Sequence, residues 1–264
     1  LVYIIWQLPR YDIMEVSKKL GVDEMSIEKF KSIVHNSNNI VFFGGAGVST
    51  ESNIPDFRSE SGLYTTSKNT KYPPEYMLSH TCYRKNTEEF FEFYKTKMIY
   101  TDAKPNLAHI SLAELEKRGK VKAVITQNID GLHQLAGSKN VLELHGSVQR
   151  NYCTKCNKFF PLDYILESPS IPICDECGGI VKPDVVLYEE SLDMNILDRA
   201  LQYIQNADVL IVGGTSLTVY PAAGLLEYYR GDKLILINKS QTHYDNRALL
   251  TFNDSIGKTL NSVL

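Results

Sequence analysis

Nowhere in the 264 residues do eighteen apolar residues run together, so no segment reads as a membrane-spanning helix. A dense Lys/Arg block is missing too: 28 basic residues stand against 31 acidic ones, for a net charge of −3. Without a basic stripe, binding to a nucleic-acid backbone is disfavoured, and neither a nucleic-acid nor a membrane partner is expected. There is no internal repeat and no low-complexity tract, which sets aside solenoids and disordered linkers. Cysteine is scarce and odd in number: of five, four fall into two tight pairs and Cys82 is left over. That pattern argues against a secreted disulfide framework and for a reducing compartment, the cytoplasm. What remains is 43% apolar and 22% charged, the mix of a soluble globule long enough to bury a core without disulfides.

The chain opens on Leu1, and residues 1–6 are apolar. That run is too short to cross a membrane, lacks a basic leader and soon meets Pro9 and Arg10, so it reads as neither signal peptide nor membrane helix. Residues 1–25 are read as an N-terminal extension, the role of residues 1–18 being open, and residues 26–264 as the domain proper. A monomer is the default expectation.

Ile27, Phe30, Ile33 and Val34 recur at helical spacing ahead of a buried strand at residues 39–43. Residues 50–74 are polar and turn-rich, long enough for a functional loop. Residues 88–100 and 106–118 look helical, as do 196–205 and 222–229. Short apolar runs at residues 121–126, 141–144, 209–212 and 234–237 have the look of parallel-sheet strands. Such alternation predicts an α/β fold, a Rossmann-type doubly wound parallel sheet with a ligand at the strand ends. Residues 148–182 break the rhythm and carry the paired cysteines, which predicts a smaller inserted zinc-binding domain.

The cysteine spacing is the most specific motif. Cys153-x-x-Cys156 and Cys174-x-x-Cys177 match the two knuckles of a structural zinc site, and Gly178-Gly179 supplies the tight turn. Two disulfides or a redox pair are the alternatives. Four sulfur ligands leave no open position, so the metal is expected to be structural. Gly44-Gly45-Ala46-Gly47-Val48-Ser49-Thr50 follows the first strand and lets backbone approach a pyrophosphate, although Thr50 holds the third glycine's place. A plain glycine turn is the alternative. Ile54-Pro55-Asp56-Phe57-Arg58 sets a carboxylate, a ring and a guanidinium in a row, either as a ligand loop or as a surface loop with a local ion pair.

Four more segments end predicted strands, where doubly wound folds bind ligands. In Gln127-Asn128-Ile129-Asp130, Asn128 and Asp130 could read a carboxamide and ribose hydroxyls, or form an Asx turn. His145 beside Gly146 could be a general base or a structural histidine. Gly213-Gly214-Thr215-Ser216 and Asn238-Lys239 extend the same polar rim. The run Val185-Val186-Leu187-Tyr188-Glu189 could pair with an extended peptide, or simply lead out of the zinc module.

In this order the segments resemble the sirtuin family of NAD-dependent protein-lysine deacylases, of bacterial type, over residues 26–264. The resemblance implies a large NAD-binding domain and a small domain built from residues 59–104 and 148–184. It implies that Gly45, Ala46, Gly47 and Thr50 hold the pyrophosphate. Asp56, Phe57, Arg58 and Tyr64 then form a mobile cofactor loop, with Phe57 shielding the nicotinamide side. Asn128, Ile129 and Asp130 line the nicotinamide pocket, and Gln127 and His145 contact the nicotinamide ribose. Gly214, Thr215, Ser216, Asn238 and Lys239 serve the adenosine half, with backbone from residues 254–256, including Ile256. His145 and Asn128 are the implied catalytic pair, and Val185, Val186, Leu187, Tyr188 and Glu189 bind the substrate.

The implied reaction is attack of an acyl-lysine oxygen on C1′ of the NAD ribose, releasing nicotinamide. His145, as general base, then relays a proton so that the 2′-oxygen attacks the alkylimidate, giving free lysine and acyl-ADP-ribose. The cofactors are NAD and one structural zinc; the partners are acetyl-lysine proteins or peptides. Two departures stand out. Glu189 occupies a place where the family often has glycine. Tyr94-x-x-Lys97 replaces the Tyr-x-x-Arg of succinyl-removing members, and since lysine cannot grip a carboxylate bidentately, acetyl is favoured over succinyl. The rival readings are mono-ADP-ribosyl transfer, a non-catalytic NAD-sensing module and an ordinary dehydrogenase.

Overall fold

The computed structural model describes residues 13–66 and 72–264, with side chains from residue 24 onward. The apolar run at residues 1–6 and the rest of the expected extension up to residue 12 lie outside the described residues. Helix α1 (Ile13–Asn36) leads into strand β1 (Ile40–Gly44) and a 3-10 segment, Ala46–Ser52. Short helices α2 (Leu63–Thr66), α3 (Pro74–Met77) and α4 (His80–Lys85) precede the longer α5 (Thr87–Lys97) and α6 (Leu107–Lys117). Strand β2 (Val121–Thr126), helix α7 (Leu132–Leu135) and strand β3 (Val141–Glu143) come next. Then follow β4 (Gly146–Cys153), β5 (Phe159–Pro161), α8 (Leu162–Glu167) and β6 (Val181–Val185). The last elements are α9 (Met194–Asn206), β7 (Val209–Gly213), a 3-10 segment at Ala222–Tyr228, β8 (Leu234–Ile237), β9 (Leu250–Phe252) and α10 (Ile256–Asn261). No helix among the described residues is long and apolar enough to cross a membrane.

The main sheet is parallel throughout, in the order β3-β2-β1-β7-β8-β9. Its strands are nearly unbroken apolar runs because both faces are covered. Along β1, Ile40 and Phe42 face Phe30, Leu112 and Leu260, from α1, α6 and α10. Val41 and Phe43 face Ala200 and Ile204 of α9 and Leu226 of the second 3-10 segment. The strand order reverses at β1, which opens a crevice at the carboxyl ends of β1 and β7.

One expected helix is tighter than α. Where a helix is expected over residues 222–229, Ala222–Tyr228 form a 3-10 segment in which Pro221 stands at the start and Gly224 lies inside; a glycine there weakens an α-helix. The turn after β1 is also 3-10, built from Gly, Ser and Thr rather than from good helix formers. Strand β9 was too short to read from pattern.

Strands β5-β4-β6 make a separate antiparallel sheet. Phe90, Phe91 and Tyr94 of α5 share one apolar cluster with Val148, Phe160, Ile165, Val181 and Val185, and with Cys153 and Cys174. Segments far apart in sequence therefore bury a common core beside the main sheet.

Candidate active site

A cleft of about 1410 Å³ runs along the carboxyl ends of the main sheet and is walled on its other side by the small module. The glycine turn forms one end. A Cβ on Gly45 would lie 2.8 Å from the Thr215 Cβ, and one on Gly47 would lie 2.7 Å from the Gly214 Cα. Gly214 takes φ +61°, and its own Cβ would meet the Val48 nitrogen at 2.4 Å. The turns after β1 and β7 thus touch backbone to backbone, joined by the Gly47 amide donating to the Gly214 carbonyl at 2.8 Å. Thr50 turns its hydroxyl back to the Gly47 carbonyl at 2.9 Å.

Beyond this turn the rim continues through side-chain amides. The Gln127 amide donates to the Thr215 hydroxyl at 3.2 Å, and the Thr215 backbone amide donates to Asn238 Oδ1 at 3.0 Å. Asn238 is 6% exposed, and its buried Nδ2 has no partner among the described residues. A buried orphan donor, a turn stripped of side chains and the length of the cleft fit an elongated polar ligand such as a dinucleotide. Ser216 and Lys239 line the same end. Asp254 and Ile256 also line it, but the Ile256 amide is already spent on Glu51 Oε1 at 3.1 Å and the Ser255 amide on Asp254 at 2.7 Å.

At the other end, Asn128 donates to the Ser49 hydroxyl at 3.0 Å, and Ser49 donates to Asp130 Oδ2 at 2.6 Å. Asp130 Oδ1 accepts from the Leu132 amide at 2.9 Å. The Asx turn and the ligand rim are therefore one arrangement, with one carboxylate oxygen serving each. Ile129 lines the cleft and turns its carbonyl to the Val148 amide at 2.9 Å. Ser49 and Glu51 were not singled out from sequence. Each joins distant segments, and only the fold brings their partners near.

His145 follows β3 on the cleft wall, with ring Nδ1 2.8 Å from the Gln127 carbonyl. A carbonyl only accepts, so Nδ1 carries the proton and Nε2 keeps its lone pair. Burial pushes the ring's pKa below its usual value, with the Gln127 bond opposing. The next residue, Gly146, takes φ +76°, and a Cβ there would lie 1.9 Å from the Asp184 carbonyl. Only glycine makes this turn from the main sheet into the zinc module.

The five residues from Val185 leave the small sheet early. Only Val185 belongs to β6; beyond it, Tyr188 makes a lone parallel bridge to Ser79. The Val186 amide donates to the His145 carbonyl, and the Leu187 amide to Glu190. Tyr188 spends both backbone groups, on the Leu78 carbonyl and the His80 amide. Among the described residues, no partner is recorded for the Val186 carbonyl or for the Glu189 amide and carbonyl. Glu189 sits at φ +74°, the left-handed region that favours glycine.

The loop after the glycine turn is self-bracing. Asp56 Oδ1 accepts from the amides of Arg58 and Ser59 at 3.0 and 2.8 Å. The Leu63 and Tyr64 amides return to the carbonyls of Asp56 and Phe57. Asp56, Phe57 and Arg58 line the cleft, whereas Tyr64 stands behind them with its ring 5.7 Å from that of Phe57.

The cysteine ligand atoms all lie within 4.8 Å of one another. The Cys153–Cys177 and Cys156–Cys174 separations of 3.3 and 3.7 Å are far beyond a disulfide bond of about 2.05 Å. They suit a tetrahedron with sulfur about 2.3 Å from zinc. A Cβ on Gly179 would come 2.8 Å from the Cys153 sulfur, so glycine clears this cradle. None of the four lines the cleft, which assigns the metal a structural place.

Known proteins are similar to this chain in sequence and fold. A model of the Sir2 family matches residues 45–221. An NAD-dependent protein deacetylase of Clostridium acetobutylicum is 66% identical over 239 residues, covering 90% of this chain and 98% of that protein. One from Cutibacterium acnes is 54% identical over 239 residues, with the same coverage of 90% and 98%. Among solved structures, a complex of Sir2, p53 peptide and NAD+ superposes with a TM-score of 0.78 at 40% identity, covering 90% of this chain and 96% of that one. A Sir2 homologue–NAD complex gives 0.80 at 38% identity, covering 89% and 91%. With a family model spanning more than half of its length and relatives this similar over nine-tenths of it, the chain belongs to the Sir2 family.

Proposed function

We propose that this protein is an NAD-dependent protein-lysine deacetylase that carries one structural zinc ion. The observation that carries the reading is His145: its Nδ1 is held by the Gln127 carbonyl, its Nε2 has no partner among the described residues, and it is tied through its own carbonyl to the segment that would hold the peptide. NAD, when bound, would supply an electrophilic C1′ as the acceptor for the acyl oxygen of the lysine, with nicotinamide as the leaving group. Gly45, Ala46 and Gly47 cradle the pyrophosphate, with Thr50 bracing the turn. Gly214, Thr215, Ser216, Asn238 and Lys239 hold the adenosine half. With the Ile256 amide already spent, that residue offers packing rather than a hydrogen bond.

Asn128 and Asp130, linked through Ser49, bind the carboxamide end beside Ile129, while Phe57 and its neighbours Asp56 and Arg58 cover it. Gln127 and His145 face the ribose. His145 accepts a proton from the ribose hydroxyls, as a neutral imidazole does at physiological pH. The unspent groups at Val186 and Glu189 pair with the substrate backbone, flanked by Val185, Leu187 and Tyr188. Residues 26–264 act as the catalytic unit, its small domain drawn from residues 59–104 and 148–184, whose described residues share a core, residues 67–71 lying outside them. Thiols held as metal ligands suit the reducing cytoplasm. Tyr94 and Lys97 line the cleft, the Tyr94 hydroxyl buried with no partner among the described residues and Lys97 exposed; acetyl is preferred to succinyl.

The test is incubation with NAD and a panel of acyl-lysine peptides, read by mass spectrometry. Equal amounts of deacetylated peptide, nicotinamide and acetyl-ADP-ribose are expected, with acetyl turned over fastest. Label left on protein would favour ADP-ribosyl transfer, a signal at the reduced-nicotinamide band a dehydrogenase, and binding without products a sensing module.

A further inference from the structure

The hydroxyls of Tyr64 and Tyr188 are hydrogen-bonded to each other across 124 positions of sequence. Neither residue's backbone is free to move alone. The Tyr64 amide is bonded to the Phe57 carbonyl at 2.9 Å, its ring packs edge-on against Phe57, and the Arg58 guanidinium lies 5.7 Å over it. Tyr64 does not line the cleft, but the two residues it steadies do. Tyr188 is anchored at its amide by the Leu78 carbonyl (3.0 Å) and at its carbonyl by the His80 amide (2.9 Å). It directly precedes Glu189, whose backbone amide and carbonyl have no recorded partner among the described residues.

We propose that Tyr64 and Tyr188 are positioning residues that form a strut between the cofactor loop and the peptide-binding segment, so that each ligand strengthens binding of the other. This rests on the deacetylase reading, because it needs a peptide at Glu189 and a dinucleotide under Phe57. A peptide pairing with Glu189 restrains the neighbouring Tyr188, and the fixed phenol then holds Tyr64. Through Tyr64 the brace at Asp56, Phe57 and Arg58 is held over the cleft. By linkage, a ligand that orders the loop returns the same factor to the peptide. A net hydrogen bond between neutral groups corresponds to an effect of about threefold to tenfold.

The experiment uses ADP-ribose, which cannot react, and an acetyl-lysine peptide, both titrated calorimetrically into the whole protein. The readout is the ratio of ADP-ribose dissociation constants without and with saturating peptide. In the unaltered protein peptide tightens ADP-ribose. Tyr188→Phe and Tyr64→Phe each reduce the ratio by about threefold to tenfold, and the double variant reduces it no further than either single one. Thermal midpoints show that each variant folds. An unchanged ratio in Tyr188→Phe, independent effects of the two substitutions, or no tightening in the unaltered protein overturns the strut. Mass spectrometry of the same peptide with NAD keeps the two claims apart. Absent products with intact coupling would count against deacetylation alone; normal turnover with no coupling would count against the strut alone.

Discussion

The carbonyl of His145 accepts a hydrogen bond from the amide of Val186 at 3.0 Å, so the proposed base and the proposed peptide segment are one backbone bond apart. The bond exists because the chain reverses at Gly146, where a Cβ would strike the Asp184 carbonyl at 1.9 Å. Gly146→Ala should therefore destabilise the protein by at least about 2 kcal/mol and lower turnover with it. Urea unfolding within about 0.5 kcal/mol of the unaltered protein would mean that the turn relaxes and glycine is not required.

Glu189 adopts a glycine conformation and offsets it with its side chain. Its carboxylate accepts from the Thr81 amide at 2.9 Å and the Thr81 hydroxyl at 2.6 Å, and these bonds hold its pKa below the usual carboxylate range. Thr81→Val should lower the urea midpoint of the unaltered protein but barely that of Glu189→Gly, which has no carboxylate to lose. Equal losses in both backgrounds would show that the two side chains are not coupled.

Removing the metal should abolish activity without touching the cleft. Cys153 and Cys174 lie in the apolar cluster that also holds residues of β4, β6 and α5, so losing the ion they share loosens the wall that carries Val186 and Glu189. A chelator should release one zinc per chain, with turnover falling in step. Cys174→Ser should behave alike. Normal turnover in a zinc-free sample would contradict this.

His109 and His133 pack edge-on, ring centroids 4.6 Å apart, between α6 and α7. Burial pushes both below the usual histidine range; Asp130 and Glu51 oppose this at His109, while at His133 the neighbouring His109 adds to it. In the unfolded chain they protonate near about pH 6.5, so below that pH the unfolded state binds more protons. Stability is then complete above about pH 6.5 and falls as the solution is acidified. Urea midpoints between about pH 7.5 and pH 5.5 should drop less steeply for His109→Gln than for the unaltered protein. Parallel slopes would exclude the pair as the cause.

Much of this was legible in advance because it depends on local chemistry. Runs such as Val209 to Gly213 read as buried strands, and two C-x-x-C pairs read as a metal site, whatever surrounds them. The rim residues Gln127, Asn128, His145, Thr215 and Asn238 followed from their places at strand ends. Long-range pairings were not legible. Nothing near Ser49 announces Asn128 and Asp130, and nothing near Tyr64 announces Tyr188; those contacts come into being only when segments many residues apart are folded together. The segment at residues 185–189 stays open from sequence for a related reason. An extended run could pair with a peptide or simply leave the zinc module, and only the fold shows that most of its backbone groups are taken by His145, Leu78, His80 and Glu190.

The central claim is that His145 is the base, and its most direct test is deacetylation of an acetyl-lysine peptide by His145→Ala, with ADP-ribose binding measured to show the cleft intact. Turnover should fall by about 10²- to 10⁴-fold. The unaltered enzyme should lose activity only on the acid side, with an apparent pKa below about 6.5, because burial favours the neutral ring that accepts the proton. Full deacetylation by His145→Ala would contradict the account.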